Sequence, residues 1–275
     1  MLRIQYAARV CYNRAETVGL FVWLCALAAE LCVFLPNRIP EVVQWVVPTC
    51  FCVLGLVLAS WYVKLINNGA SLRNFFDAYV LGLGFENYKA EDRRSIKELS
   101  LHIDEKKPGE ANVQMSNTGR DKPAGVKDWY EFDTDVPLTD MDAVFECQKQ
   151  NRWWNNELSK KRIFASACIV SFIVAAFAIS LFIFPDYAWK IIICSTGLAL
   201  RGTERLIEHI KYYNVSRKID WAVETMDCGF LKTNLLSLQE SIAERRKIHV
   251  LESSKLHQKY AALLAEKYSK VKSNM

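Results

Sequence analysis

Residues Ile163 to Phe184 form an uninterrupted run without a charged side chain, and Lys160-Lys161-Arg162 stand directly before it. At ~1.5 Å per residue a helix of that run is roughly 33 Å long, enough to cross a hydrocarbon core of ~30 Å. Inside such a core every backbone N–H and C=O must be satisfied within the segment, which leaves the α-helix as the only form for a single run of this kind. A chain carrying this segment therefore folds in and around a membrane.

The rest of the sequence repeats the arrangement. An apolar arm from Val18 to Leu35 is interrupted only by Glu30, and a second from Val42 to Ile66 only by Gln44 and Lys64. Pro36-Asn37-Arg38-Ile39-Pro40 between them forbids a continuous helix, because proline lacks an N–H and clashes with the preceding turn. Ile163–Phe184 is likewise followed by Pro185-Asp186 and a shorter arm, Tyr187 to Leu200, whose Lys190, Tyr187 and Trp189 suit a membrane interface. The expected fold is an all-α membrane protein of two transmembrane helical hairpins, four spans in all. A mostly helical cytosolic insert and a helical cytosolic C-terminal tail complete it. The corresponding divisions are 1–17, 18–66, 67–162, 163–200 and 201–275. Lysines and arginines near the arm ends gather on one side, among them Arg3, Arg9, Arg14, Arg73, Lys160, Lys161, Arg162, Arg201 and Arg205, against Arg38 and Lys190 on the other. The positive-inside rule then places both termini and the insert in the cytosol. Arg3, Arg9 and Arg14 with Ala26-Leu27-Ala28 imitate a signal peptide, but the apolar run continues to Leu35 and a second arm follows at once, so the first arm is expected to be retained.

Within the insert, Ser71 to Leu83 has helical spacing with Ser71 as a possible N-cap, and Glu91 to Leu101 also reads as a helix. Lys106 to Val126, rich in Lys, Gly, Asn, Pro and Ser, reads as a loop. A further helix starts near Thr139 and runs through Trp154 into the third arm, with Asp140 and Asp142 in its first turn. In the tail, Leu235, Leu238, Ile242, His249, Leu256 and Leu263 fall near heptad spacing from Leu231 to Lys272, broken by Arg245 and Glu252. That pattern fits an amphipathic helix or hairpin packed on the cytosolic part, with a coiled-coil arm as the alternative.

No catalytic constellation emerges. The four histidines, His102, His209, His249 and His257, have no HExxH spacing and read as isolated surface residues. Gly82-Leu83-Gly84 lacks the remainder of a phosphate loop, and Asp133, Asp135, Asp140 and Asp142 lack the glycine and glutamate of a calcium loop. The nine cysteines show no CxxC pair and read as small packing residues. Neither an enzyme nor a bound cofactor or metal is expected. The formal charge of +5 lies largely beside the arms, so it points to anionic headgroups rather than to a nucleic-acid polymer.

Three features remain. Glu30 inside the first arm marks either a pore or polar seam, or a carboxylate that snorkels past Pro36. Ala167, Ser171 and Ala175 form a small-residue stripe suited to close helix contact. Val126 to Arg162 is the most distinctive stretch: Trp153-Trp154 could be an interfacial belt, or, with Gln148, Asn151 and Arg152, a stacking and hydrogen-bonding surface.

Trp129-Tyr130, Pro137 and the string Cys147-Gln148-Lys149-Gln150-Asn151-Arg152-Trp153-Trp154 leading into an arm resemble the SMODS-associated four-transmembrane effector family. Ala7-Ala8-Arg9 to Tyr12 and Phe76 to Tyr79 share in the resemblance, as does the paired-arm layout. The resemblance implies a prokaryotic antiphage effector of the inner membrane. Such an effector acts after a cyclic-oligonucleotide-type signal, received directly or through a sensor protein, and forms or gates a pore, as a homo-oligomer, that kills or arrests the cell. The residues proposed to take up the signal are Trp129, Tyr130, Gln148, Asn151, Arg152, Trp153 and Trp154. The alternative is a membrane docking or regulatory protein without a pore.

Overall fold

The computed structural model describes residues 1–32, 39–118, 121–123, 125–127, 140–226 and 232–250, without the side chains of 140, 150, 151 and 153–158. Among the described residues every regular element is a helix. The helices are α1 (Leu2–Leu31), α2 (Glu41–Val80), α3 (Ala90–Asp104), α4 (Pro108–Ser116), α5 (Asp140–Ile183), α6 (Ala188–Met226) and α7 (Lys232–Lys247), with single 3-10 turns at Phe85–Asn87 and Pro185–Tyr187. α2 and the Ser159–Ile183 part of α5 are, by length and composition, apolar enough to cross a membrane.

Antiparallel pairing of long helices is the frame. α1 runs along α2, and Gly69 sets the approach: a Cβ there would lie 3.1 Å from the Tyr12 ring and 3.3 Å from Cys11 Cβ. α6 packs on both α1 and α5, and at Gly202 a Cβ would meet Ile173 at 3.1 Å. The outer sides of these rods stay apolar, with Leu20, Phe21 and Leu24 on α1, Leu56 and Trp61 on α2, and Phe164, Phe172 and Phe182 on α5 exposed. Water does not solvate a continuous belt of this kind, whereas lipid does.

Beyond the belt the rods continue into three polar-edged cores. Ile4, Ala7 and Ala8 of α1, Leu72, Phe75 and Phe76 of α2, and Ile96 and Ile103 of α3 form one. Tyr6, Ala111 of α4 and Val126 form a small second. The third joins Leu81 and Leu83, Phe145 and Cys147 of α5, Ile219 and Val223 of α6, and Leu235, Leu238 and Ile242 of α7.

Several expectations change. Ser71 caps nothing, because α2 passes through it unbroken to Val80; burial of Leu65, Ile66, Ala70 and Leu72 outweighs the poor propensity of Asn67-Asn68-Gly69. Part of the expected loop Lys106–Val126 is α4, started by Pro108 in its first turn and anchored by the fully buried Ala111. The chain after α4 is tied down by Asp121, which accepts from the Thr118 N–H at 2.7 Å and hydroxyl at 2.8 Å. Arg9 donates to the Gly125 carbonyl at 3.0 Å. The stripe Ala167, Ser171 and Ala175 does not form the α5–α6 contact: Ser171 and Ala175 face outward, and Ser166 is buried instead. In the tail, the helix is described from Lys232 to Lys247, and residues 251–275, including Glu252, Leu256, His257 and Leu263, lie outside the described residues. Arg245, which interrupts the heptad, is not a surface break: it is 2% exposed, with its guanidinium 5.7 Å from the Tyr212 ring centre.

α7 is locked to α2 by charge. Arg246 donates to Asp77 at 2.6 Å and to the Asn74 side chain at 3.0 Å, and Asp77 is fully buried. Removing one partner of a buried pair strands the other, a cost of about 3–5 kcal/mol. Arg246→Met in the detergent-solubilised chain is therefore expected to lower the unfolding free energy, read from denaturant titration, by an amount in that range; a change under ~0.5 kcal/mol, the size of an ordinary surface change, would show that the pair does not hold α7.

Candidate functional site

The Cys147–Arg152 stretch lies on the part of α5 before its apolar Ser159–Ile183 segment, where its i, i+4 positions turn toward α6 and α7. Gln148 is 0% exposed, and its side-chain amide donates to the Leu235 carbonyl at 3.1 Å and to Gln239 Oε1 at 3.2 Å. Arg152 donates through Nε to Asp220 at 2.7 Å and through a terminal nitrogen to Glu224 at 3.0 Å. These two residues thus brace α5 against α7 and α6. Asn151, Trp153 and Trp154 belong to the same helix, but their side chains lie outside the described residues, as do Trp129, Tyr130, Pro137, Asp133 and Asp135 entirely. Cys147 packs in the third core, where burial, then Asp77 and Glu146, push its thiol up to about 12, so it stays protonated at neutral pH.

Glu30 packs against α6. The Ser195 hydroxyl of α6 donates to Glu30 Oε1 at 2.6 Å, while Oε2 is buried without a hydrogen bond. Near the same ends, Lys190 donates to Gln44 Oε1 at 2.9 Å, and Gln44 donates in turn to the Ile39 carbonyl at 2.8 Å. Lys190 is thus held across helices. The pairing of Glu30 with Ser195 and of Gln44 with Lys190 joins α6 to α1 and α2 by polar contacts within the apolar arms. Sequence reasoning named Glu30 and Lys190 separately; their partners lie 165 and 146 positions away, and no local pattern reports that.

A second cluster lies further along α1, α2 and α6, within rather than at the ends of these helices. Trp23, Tyr62, Arg201, Arg205 and His209 line a cavity of about 90 Å³. Tyr62 donates to the His249 carbonyl at 3.0 Å, and the His249 N–H reaches Glu208 at 3.4 Å, so the chain leaving α7 closes one side. The four-residue spacing of Arg201, Arg205 and His209 was visible in the sequence and would have put all three on one helical face. His209, read as a surface residue, is instead 3% exposed. Burial, then Arg205 and Arg162, push its imidazole down to about 4, with Glu208 opposing. The sign follows from linkage: below the ordinary imidazole value of about 6.5 the unfolded chain takes up the proton that the folded chain refuses. Stability is expected to fall as pH drops from about 6.5 to about 5, and less steeply in His209→Gln. Thermal melts in detergent across that interval check this; identical slopes would remove His209 as the cause.

Long apolar-sided helices, a polar seam between them and a basic end define an all-helical membrane protein. The chain belongs to the family described as the SMODS-associating 4TM effector domain, which matches residues 1–225. The match includes α1 to α5 and nearly all of α6, and leaves α7 outside. No curated protein and no solved structure matches the chain.

Proposed function

We propose that this chain is a four-span effector of the prokaryotic inner membrane, with both termini cytosolic, that disrupts the membrane on a cyclic-oligonucleotide-type signal. The observation that carries the reading is the family match over residues 1–225, whose description joins a four-transmembrane effector to SMODS. The apolar outer faces extend it to four spans, since α1 and α6 bear exposed Leu20, Leu24, Leu27, Trp189, Ile193 and Leu200 just as α2 and α5 bear theirs. The signal, a cyclic oligonucleotide or a sensor protein, acts on the cytosolic segments, where Trp129, Tyr130, Gln148, Asn151, Arg152, Trp153 and Trp154 are the proposed receiving residues.

The opening step separates α6 from α1 and α2. Doing so strips Glu30 of Ser195 and Lys190 of Gln44, and unpaired polar groups at that depth favour water over lipid. One chain has too few helices to surround a wide path, so several copies contribute. A signal that turns a resting population of about 1% open into about 99% must favour the open form by roughly 10⁴-fold.

Cells expressing the chain are expected to lose most of their membrane potential only when the signal is supplied, as read by a potentiometric dye. The double variant Trp153→Ala/Trp154→Ala is expected to stay polarised at equal expression. Polarised wild-type cells, despite verified expression and a full panel of candidate cyclic nucleotides or the cognate synthase, would instead favour a docking or regulatory membrane protein without a pore.

A further inference from the structure

The cavity between α1, α2 and α6 is lined by Arg201 and Arg205 and by Glu204 and Glu208. Glu204 pairs with Arg201 at 2.6 Å, and Glu208 pairs with Lys211 at 2.7 Å while facing the His249 N–H. Both carboxylates beside the cavity are thereby engaged. Arg205 has no ion pair among the described residues: its guanidinium carbon lies 5.8 Å from the Trp23 ring centre, and its Nε is buried without an acceptor. A guanidinium with a buried N–H aimed at no acceptor leaves a desolvation cost that an anion would offset.

Size and position restrict the anion. A cavity of about 90 Å³ is well below the ~300 Å³ at which pockets begin to enclose whole drug-sized ligands, so it admits one small group with the remainder of its molecule outside. The walls are two-sided: Val22 and Val63 are apolar, whereas Trp23 and Tyr62 are aromatics with a polar edge. Trp23 lies five positions into the arm that starts at Val18, and Arg205 lies five beyond Leu200, where the fourth arm ends. On the four-span reading, on which this inference rests, that is the headgroup level of the cytosolic leaflet, where arginine and tryptophan meet anionic lipid.

We propose that this cavity holds the phosphate of an anionic phospholipid of the cytosolic leaflet, with Arg205 as its cation and Trp23 and Tyr62 as its interfacial walls. The lipid would sit where α1, α2 and α6 converge and beside the His249 strap, so its occupancy would tie the tail to the membrane surface.

Native mass spectrometry of the full chain released from detergent tests this with three probes: phosphatidylglycerol, the phosphate-free lipid diacylglycerol and inorganic phosphate. Wild type is expected to retain phosphatidylglycerol about tenfold better than diacylglycerol, which has no phosphate, the worth of one charge-assisted hydrogen bond. Arg205→Gln, with helicity and elution volume unchanged, is expected to lose that preference. Arg205→Lys, which keeps the charge, is expected to restore most of it, a rescue that a purely structural stacking role would not give. The exposed Arg94→Gln, whose residue pairs only with its neighbour Glu98, is expected to behave as wild type. Equal retention of the two lipids by wild type overturns the proposal whatever the variants do, as does an undiminished preference in folded Arg205→Gln. Displacement of phosphatidylglycerol by millimolar inorganic phosphate would assign the cavity to a soluble anion and overturn the lipid assignment. The readout is independent of leakage: a chain that leaves cells polarised yet keeps the preference sinks the pore and not the site.

Discussion

The helices do not stop where the apolar belt stops. α2, α5 and α6 contain 40, 44 and 39 residues, so each is roughly 60 Å long at ~1.5 Å per residue, about twice the hydrocarbon thickness. A helix without a break transmits displacement along its axis and tilt about its contacts. Whatever grips the polar halves therefore has mechanical access to the halves bearing Glu30, Gln44, Lys190 and Ser195. A design with a loop at the membrane surface would lose that access.

α7 grips three of the rods at once. Its apolar face fills the core shared by Leu81, Phe145 and Ile219, Arg246 binds Asp77 of α2, and Gln239 accepts from Gln148 of α5. The braces Arg152–Asp220 and Arg152–Glu224 add a direct link from α5 to α6. Gln148 and Arg152 thus occupy positions where contact with a signal would have to compete with, or act through, the packing of three helices. That places them as transmitters as readily as receivers, and it explains why amides and a guanidinium beside a tryptophan pair need not signify an open binding face.

Much of this fold was legible because hydrophobic runs and proline breaks are local signals. The long uncharged run, the start of α2 after Pro40, the turn at Pro185-Asp186 and the helix entering from near Thr139 all follow from composition within a few turns. The misreadings share another cause. Ser71 looked like a cap because Asn67-Asn68-Gly69 is weak helix, yet Gly69 is there for the close approach of α1. Lys106–Val126 looked like loop because its anchor is one alanine packed on Tyr6 and Val126. Arg245 and His209 looked exposed because their burial depends on helices distant in sequence. The site was least legible: Glu30 could be singled out, but Ser195 could not, and the basic cavity needs three helices to exist.

The polar pairs in the arms gain their meaning from the solvent around them. A carboxylate or ammonium costs about 2.5–3.5 kcal/mol at the centre of a bilayer on insertion scales and less toward its edge, where the arm-end residues Glu30 and Lys190 fall. The hydrogen bond that Glu30 accepts from Ser195, or that Lys190 donates to Gln44, offsets part of it. On the four-span reading such groups are a burden to a helix bundle that only needs to be anchored, and leucine would serve better at both positions. They are an asset to one that must admit water, because the same cost that opposes lipid contact lowers the free energy of a hydrated arrangement once α6 leaves α1 and α2. The Glu30 oxygen that is buried without a hydrogen bond is the clearest instance: on the proposed opening step, a water-filled interface between helices would relieve its desolvation.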